Sequence, residues 1–116
     1  MTNLVRIGTL FLLLILAAPS WAKTEVGDVV AVRGACTKTG VLSLLNGQKT
    51  DGMAGFMAAV QRAEEAGMCR QFPQIVMAEV QAVEYFGLLS DGQNYIIDIG
   101  GGLWVIDVVR DGGVSA

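Results

Sequence analysis

Between residues 53 and 63, apolar side chains return at helical intervals. Met53, Phe56, Met57, Val60 and Ala63 share one face, while Gln61, Arg62, Glu64 and Glu65 fall on the other side. This spacing predicts an amphipathic helix from about Gly52 to Ala66, with its Met and Phe stripe packed as core. Asp51 is placed to cap the first turn, where a carboxylate accepts free amide hydrogens, and Gly67 to end the helix in a left-handed conformation. Upstream, Val41, Leu42, Leu44 and Leu45 form a shorter apolar cluster that stops at Asn46-Gly47. We read a second helix over about Lys38–Leu45. A strand competes, because so short an apolar run does not separate the two periods.

Strands flank this helical region. "EVGDVVAVRG" carries Val26, Val29, Val30 and Val32, whose branched side chains favour extended backbone. Pro73 restarts the chain after residue 69, and "QIVMAEVQAVEYFGLL" reads as one long strand with room for a bulge or bend. Within it Glu79 and Glu84 alternate with apolar neighbours, as solvent-facing strand positions do. Asp91-Gly92 is a hairpin signal, since Gly accepts positive φ and Asp tolerates it. "NYIIDIG", the turn Gly100-Gly101-Gly102 and "LWVIDVVR" then complete a three-stranded antiparallel meander.

The last strand is apolar on both sides. Leu103, Val105 and Val109 lie on one, and Trp104, Ile106 and Val108 on the other. A strand of that kind is covered twice, inside a sandwich, a curled barrel or an interface. Leu103, Val105 and Val109 are therefore candidate interface residues: if the helices do not cover them, another chain does. The fold class expected is α+β, a small antiparallel sheet or a partial barrel with a disulfide-tied helical insert. In the barrel version the topology would resemble an SH3-like or OB-like module, although no motif of either family is present.

The amino-terminal residues change the setting. "MTNLVRIGTLFLLLILAAPSWAKTE" has a positive start at Arg6, an apolar run to Ala18, a helix-breaking Pro19, and the small residues Ser20 and Ala22 around Trp21. This is the layout of a secretory signal peptide cut after Ala22, and the apolar run is shorter than the ~20 residues a spanning helix needs. We expect residues 1–22 to be a leader and residues 23–116 to form one small domain, periplasmic or secreted. The chain carries a formal charge of −3, one unit more negative without Arg6. Its basic residues are scattered singly, which argues against nucleic acid and anionic lipid as partners.

Export decides how the two cysteines are read. Cys36 and Cys69 allow one pairing, and small exported domains gain from such a link. Closing the loop between them stabilises by roughly 3–4 kcal/mol in the chain-entropy treatment. A nucleophilic thiol would need an activating base, yet the chain has no histidine, and the wide spacing is not that of a redox C-x-x-C pair. The expectation is a structural disulfide.

Other chemistry is scarce. Gly100-Gly101-Gly102 lacks the third glycine of a dinucleotide fingerprint and precedes a strand, so it reads as a turn. Asp91, Asp98, Asp107 and Asp111 match no calcium-loop spacing. Asp98 and Asp107 interrupt apolar strands and could form a catalytic or metal-holding carboxylate pair. The competing reading, preferred here, points each to solvent or to a sheet edge. We expect no cofactor, no metal and no enzymatic activity. The leading functional expectation is an exported binding module whose partner is a protein or a cell-wall polymer. One specific alternative is an inhibitor of a secreted hydrolase, presenting the loop Ser90 to Asn94 or Gln48 to Asp51. Another is a structural homo-oligomer.

Overall fold

The computed structural model of the protein describes residues 23–110; the expected leader, residues 1–22, lies outside them, as does Asp111. The elements follow in the order β1 (Val29–Cys36), α1 (Lys38–Glu65), β2 (Cys69–Glu79), β3 (Ala82–Leu89), β4 (Gly92–Asp98) and β5 (Trp104–Val109). They build a small antiparallel five-stranded sheet in the order β2-β1-β5-β4-β3, with the helical element packed on it. The α+β class and the β3-β4-β5 meander thus agree with the sequence reading.

The apolar run expected to form one long strand is instead two strands at opposite edges of the sheet. Its break falls at Val80-Gln81. Five flat strands would hold their edges about 19 Å apart at the usual spacing. The three Cα steps from Glu79 to Ala82 span at most about 11 Å. The sheet must therefore bend sharply, and the hydrogen bonds show where. Val80 N–H donates to the Asp28 carbonyl (2.8 Å), and Gln81 N–H to the Asp98 carbonyl (2.7 Å). At the other end of β1 its one pairing with β5 is Cys36 opposite Trp104. The β1-β2 ribbon is thus joined at one end to the start of β5, and at its other end to the end of β4 and start of β3.

This geometry makes two cores. One lies between α1 and the sheet: Val41, Leu44, Leu45, Phe56, Ala59, Val60 and Ala63 meet Cys36, Cys69, Ile96, Trp104, Ile106 and Val108. The other lies on the opposite face of the meander, where Val32, Ala35 and Val80 meet Ile97 and Val105. Val32 and Ala35 are three residues apart yet reach the same core, because the β1-β2 register slips between Val32 and Gly34. There Phe72, Pro73, Gln74 and Ile75 of β2 stand against Arg33 alone. Pro73 therefore does not restart the chain: β2 already begins at Cys69, and the proline occupies the bulge of an edge strand, where its missing N–H leaves no ladder bond unmade.

α1 is one helical element broken at Asp51 and Gly52, whose backbones are non-helical. Its arms, residues 38–50 and 53–65, fold back on each other. A Cβ on Gly55 would lie 2.1 Å from the Gly47 carbonyl oxygen, and one on Gly47 only 3.2 Å from the Ala59 Cβ. Asn46-Gly47 does not end the first arm, as the sequence suggested; Gly47 stays helical and supplies the crossing point. Met53, expected on the core stripe, is exposed beside the break. Thr37 caps the start, its hydroxyl accepting from Gly40 N–H (3.0 Å). The expected stop at Gly67 holds: Met68 N–H reaches the Ala63 carbonyl (2.9 Å) and Gly67 N–H that of Glu64 (3.0 Å), which satisfies two end carbonyls of the helix.

Candidate functional site

The cysteines are joined. Cys36 and Cys69 stand directly opposite in the β1-β2 register, with Cα atoms 3.9 Å apart, and both are buried. The bond closes the loop that contains the whole of α1. Around it the backbone is packed closely: Thr37 N–H donates to the Met68 carbonyl (2.7 Å), and a Cβ on Gly40 would lie within 3.2 Å of the Cys36 Cβ. Trp104 packs in the same core, with the Lys38 ammonium 5.0 Å from its ring centroid and the Lys38–Glu84 ion pair (2.9 Å) above it. That pair is about half exposed, so its own contribution is small. Nothing at this corner offers a free thiol; the arrangement is mechanical.

The three candidate interface residues do not share one exposed patch. Val105 is wholly buried, covered by Val32, Val80 and Ile97 of its own chain. Leu103 precedes β5 and, like Val109, is half-buried. The second cover that the sequence demanded for Val105 is the folded-over ribbon.

Asp98 and Asp107 do not form a pair. Asp98 pairs across the sheet with Trp104 and shares its face, while Asp107 pairs with Tyr95 on the opposite face. Asp98 Oδ1 accepts from Gly100 N–H (2.8 Å) and secures the turn, where Gly100, Gly101 and Gly102 all take positive φ. Three such residues in succession require glycine, so the triplet is a turn device. Asp107 does not face solvent or a free edge, contrary to the sequence reading. It is completely buried, and its Oδ1 has no hydrogen-bond partner among the described residues. The amino-terminal segment passes over this face: Thr24 N–H lies 3.4 Å from Asp107 Oδ2, and Gly27 N–H donates to the Val80 carbonyl (2.9 Å). No periodicity could reveal that an irregular segment far away in sequence would cover Asp107.

The loops proposed for hydrolase inhibition are short. Residues 48–50 are helical and lead into the break at Asp51. The turn after Leu89 is tight, with Leu89 opposite Gly92, and Asn94 Nδ2 ties it down by donating to Asp91 Oδ1 (2.9 Å) and the Gly92 carbonyl (3.0 Å).

One open apolar surface lies on the part of the ribbon farthest from the disulfide; Tyr85 and Leu88 of the other edge strand, β3, are exposed as well. Val29 and Met77, on the same face of β1 and β2, are 60% and 64% exposed, and Ile75 is 57% exposed on the β2 edge. Exposed Ala31 stands opposite Met77 on that face, and exposed Glu79 stands opposite Val29. The sequence signalled apolarity here but not which side of it would be left uncovered.

Among the described residues, no group of three or more His, Cys, Asp or Glu side chains could hold a metal ion, and no helix is long and apolar enough to cross a membrane. No protein-family model, curated protein or solved structure matches this chain.

Proposed function

We propose that this protein is an exported, non-enzymatic binding module that meets a protein partner through the apolar strip Val29, Ala31, Ile75 and Met77. The strip is the observation that carries the reading. Large exposed apolar side chains gathered on one surface are costly in water unless something covers them. A protein surface suits it better than a cell-wall polymer, because the strip presents mainly methyl and thioether groups, with the one carboxylate of Glu79 opposite Val29 at its end. Export is supported by the leader pattern of residues 1–22 and by the buried disulfide, a bond that persists in oxidising compartments. The bent sheet, joined to itself through Cys36–Trp104 and Gln81–Asp98, fits a partial barrel of SH3-like or OB-like shape as the scaffold.

The homo-oligomer is a second reading, favoured by one feature. β2 is an edge strand whose Ile75-Val76-Met77 run is exposed, and such an edge accepts another strand. One experiment separates the readings. Mature protein and its Ile75→Glu/Met77→Glu variant are compared by sedimentation and by capture of partners from the cell envelope. Loss of a captured protein with an unchanged monomer mass supports the binding module. A native dimer that becomes monomeric in the variant supports self-association. Unchanged capture and mass in the variant would overturn the role of the strip.

A further inference from the structure

We propose that buried Asp107 is the docking site for the chain's own α-ammonium group, created when the leader is cut between Ala22 and Lys23. The inference rests on the export reading for the cut and on the fold for the site.

Asp107 is the anomaly that calls for it. Its side chain is fully buried on β5, and one carboxylate oxygen has no partner among the described residues. A buried carboxylate is expensive unless it is paired and hydrogen-bonded. The other oxygen meets only the amide of Thr24, at the long distance of 3.4 Å. That weak contact identifies which part of the chain is at hand. The backbone nitrogen of Lys23 is one residue before the Thr24 amide, which puts it roughly 3–3.6 Å from that amide by standard backbone geometry. Rotation about the Lys23 Cα–C bond swings it toward or away from the carboxylate. The Lys23 side chain is anchored beside the same spot: its ammonium lies 5.3 Å from the Tyr95 ring centroid, and Tyr95 is the cross-strand partner of Asp107. The side chain therefore goes to the ring, while the main-chain nitrogen is left near the acid.

Before cleavage that nitrogen is an amide with one hydrogen and no charge. Hydrolysis by a leader peptidase breaks the Ala22–Lys23 C–N bond. Water supplies the hydroxyl that leaves on Ala22 as a carboxylate, and its protons go to the Lys23 nitrogen. An α-amino group is ordinarily protonated at neutral pH. It then offers three N–H donors and a positive charge to a carboxylate that lacks both. Charge-assisted bonds of this kind are stronger than neutral ones. Cutting the leader would thus complete the fold as well as release the protein.

The test uses the chain beginning at Lys23, freed from an amino-terminal fusion by a protease that leaves no extra residue. Its comparison is the same chain retaining Ser20, Trp21 and Ala22. Each is made with native Asp107 and with Asp107→Asn, and urea unfolding is followed by circular dichroism. The unfolding equilibrium constant should be about tenfold to a hundredfold smaller for the exact Lys23 start than for the extended chain. Asp107→Asn should remove that difference. Equal stability of the two starts, or the same difference in both backgrounds, would overturn the proposal. If Asp107→Asn fails to fold, the reaction of the α-amine with an acylating reagent in the native chain decides. Slow reaction supports the pairing, and reaction as fast as that of an unstructured α-amine overturns it. Sequencing the amino terminus of the exported protein is separate: a start other than Lys23 overturns the cleavage on which the biological role depends, while the unfolding comparison still judges the site.

Discussion

Cys36 stands opposite Trp104 at the one residue pair that joins β1 to β5. Cys36 is also bonded to Cys69 of β2, and the indole packs in the core that α1 covers. The ribbon, the meander and the helix therefore meet at a single corner, and the disulfide holds both strands of the ribbon there.

Replacing both cysteines with Ser should lower stability by roughly 3–4 kcal/mol, the value expected for releasing a loop of this length. Urea unfolding of the oxidised protein and the variant measures it. Neither native thiol should label with an alkylating reagent before reduction. Trp104→Ala should cost on the order of 3–5 kcal/mol. Because the indole and the disulfide share one packed corner, the triple variant should lose less than the sum of the two effects. Strict additivity would show that the corner does not act as a unit.

Gly55→Ala sets two effects against each other. Alanine is the better helix former by about 1 kcal/mol. Its methyl group would, however, meet the Gly47 carbonyl oxygen at 2.1 Å, a backbone atom that cannot swing aside. Forced separation of packed elements costs about 1–3 kcal/mol. The steric term should win, giving a lower thermal midpoint. A higher midpoint would mean that the helix arms do not cross at Gly47 and Gly55.

What the sequence revealed depended on whether the signal was local. The helix stop at Gly67, the turns at Asp91-Gly92 and Gly100-Gly102, and the meander all follow from residue types within a few positions of each other. The disulfide followed from there being just two cysteines in a chain with a leader pattern. Failures came where distant segments met. Gly47 read as a stop because nothing local shows that Gly55 returns to touch it. The run from Gln74 to Leu89 read as one strand because apolar content on either side of Val80-Gln81 is the same. Asp107 read as solvent-facing because its cover, the segment around Thr24, is 83 residues away. The strip at Ile75 and Met77 was legible as strand but not as surface, since exposure depends on which strand becomes the sheet edge.

Glu64 supplies a pH dependence with a definite sign. Burial raises its carboxyl above the ordinary value of 4.5, partly opposed by a hydrogen bond with Gln71. A raised carboxyl binds its proton more tightly in the folded state than in the unfolded one. The cost of its charge is therefore fully present above the folded value and disappears as pH falls below the unfolded one. Glu64→Gln should make the protein more stable near neutral pH and have no effect well below the carboxylate range. Urea midpoints of the two proteins at each pH give the comparison; an equal gain at both would point to packing instead of charge.

Two charge insertions, one on β5 and one on the edge strand β2, should behave in opposite ways. Val105 is enclosed by Val32, Val80 and Ile97, none of which offers a polar group to receive a charge. Val105→Glu would bury an unpaired carboxylate, a change that costs several kcal/mol. Domains of this size have only about 5–15 kcal/mol to lose. The variant should be largely unfolded, or folded only at acid pH where the new side chain is neutral. Met77 is an edge-strand residue with most of its surface in water. Met77→Glu should change stability by no more than about 0.5 kcal/mol, while weakening whatever contact the strip makes. Circular dichroism separates the outcomes directly. A folded Val105→Glu protein would show that the ribbon does not close over the meander, and that Val105 faces outward after all. An unfolded Met77→Glu protein would show that the strip belongs to a core, and that the contact surface must be sought elsewhere.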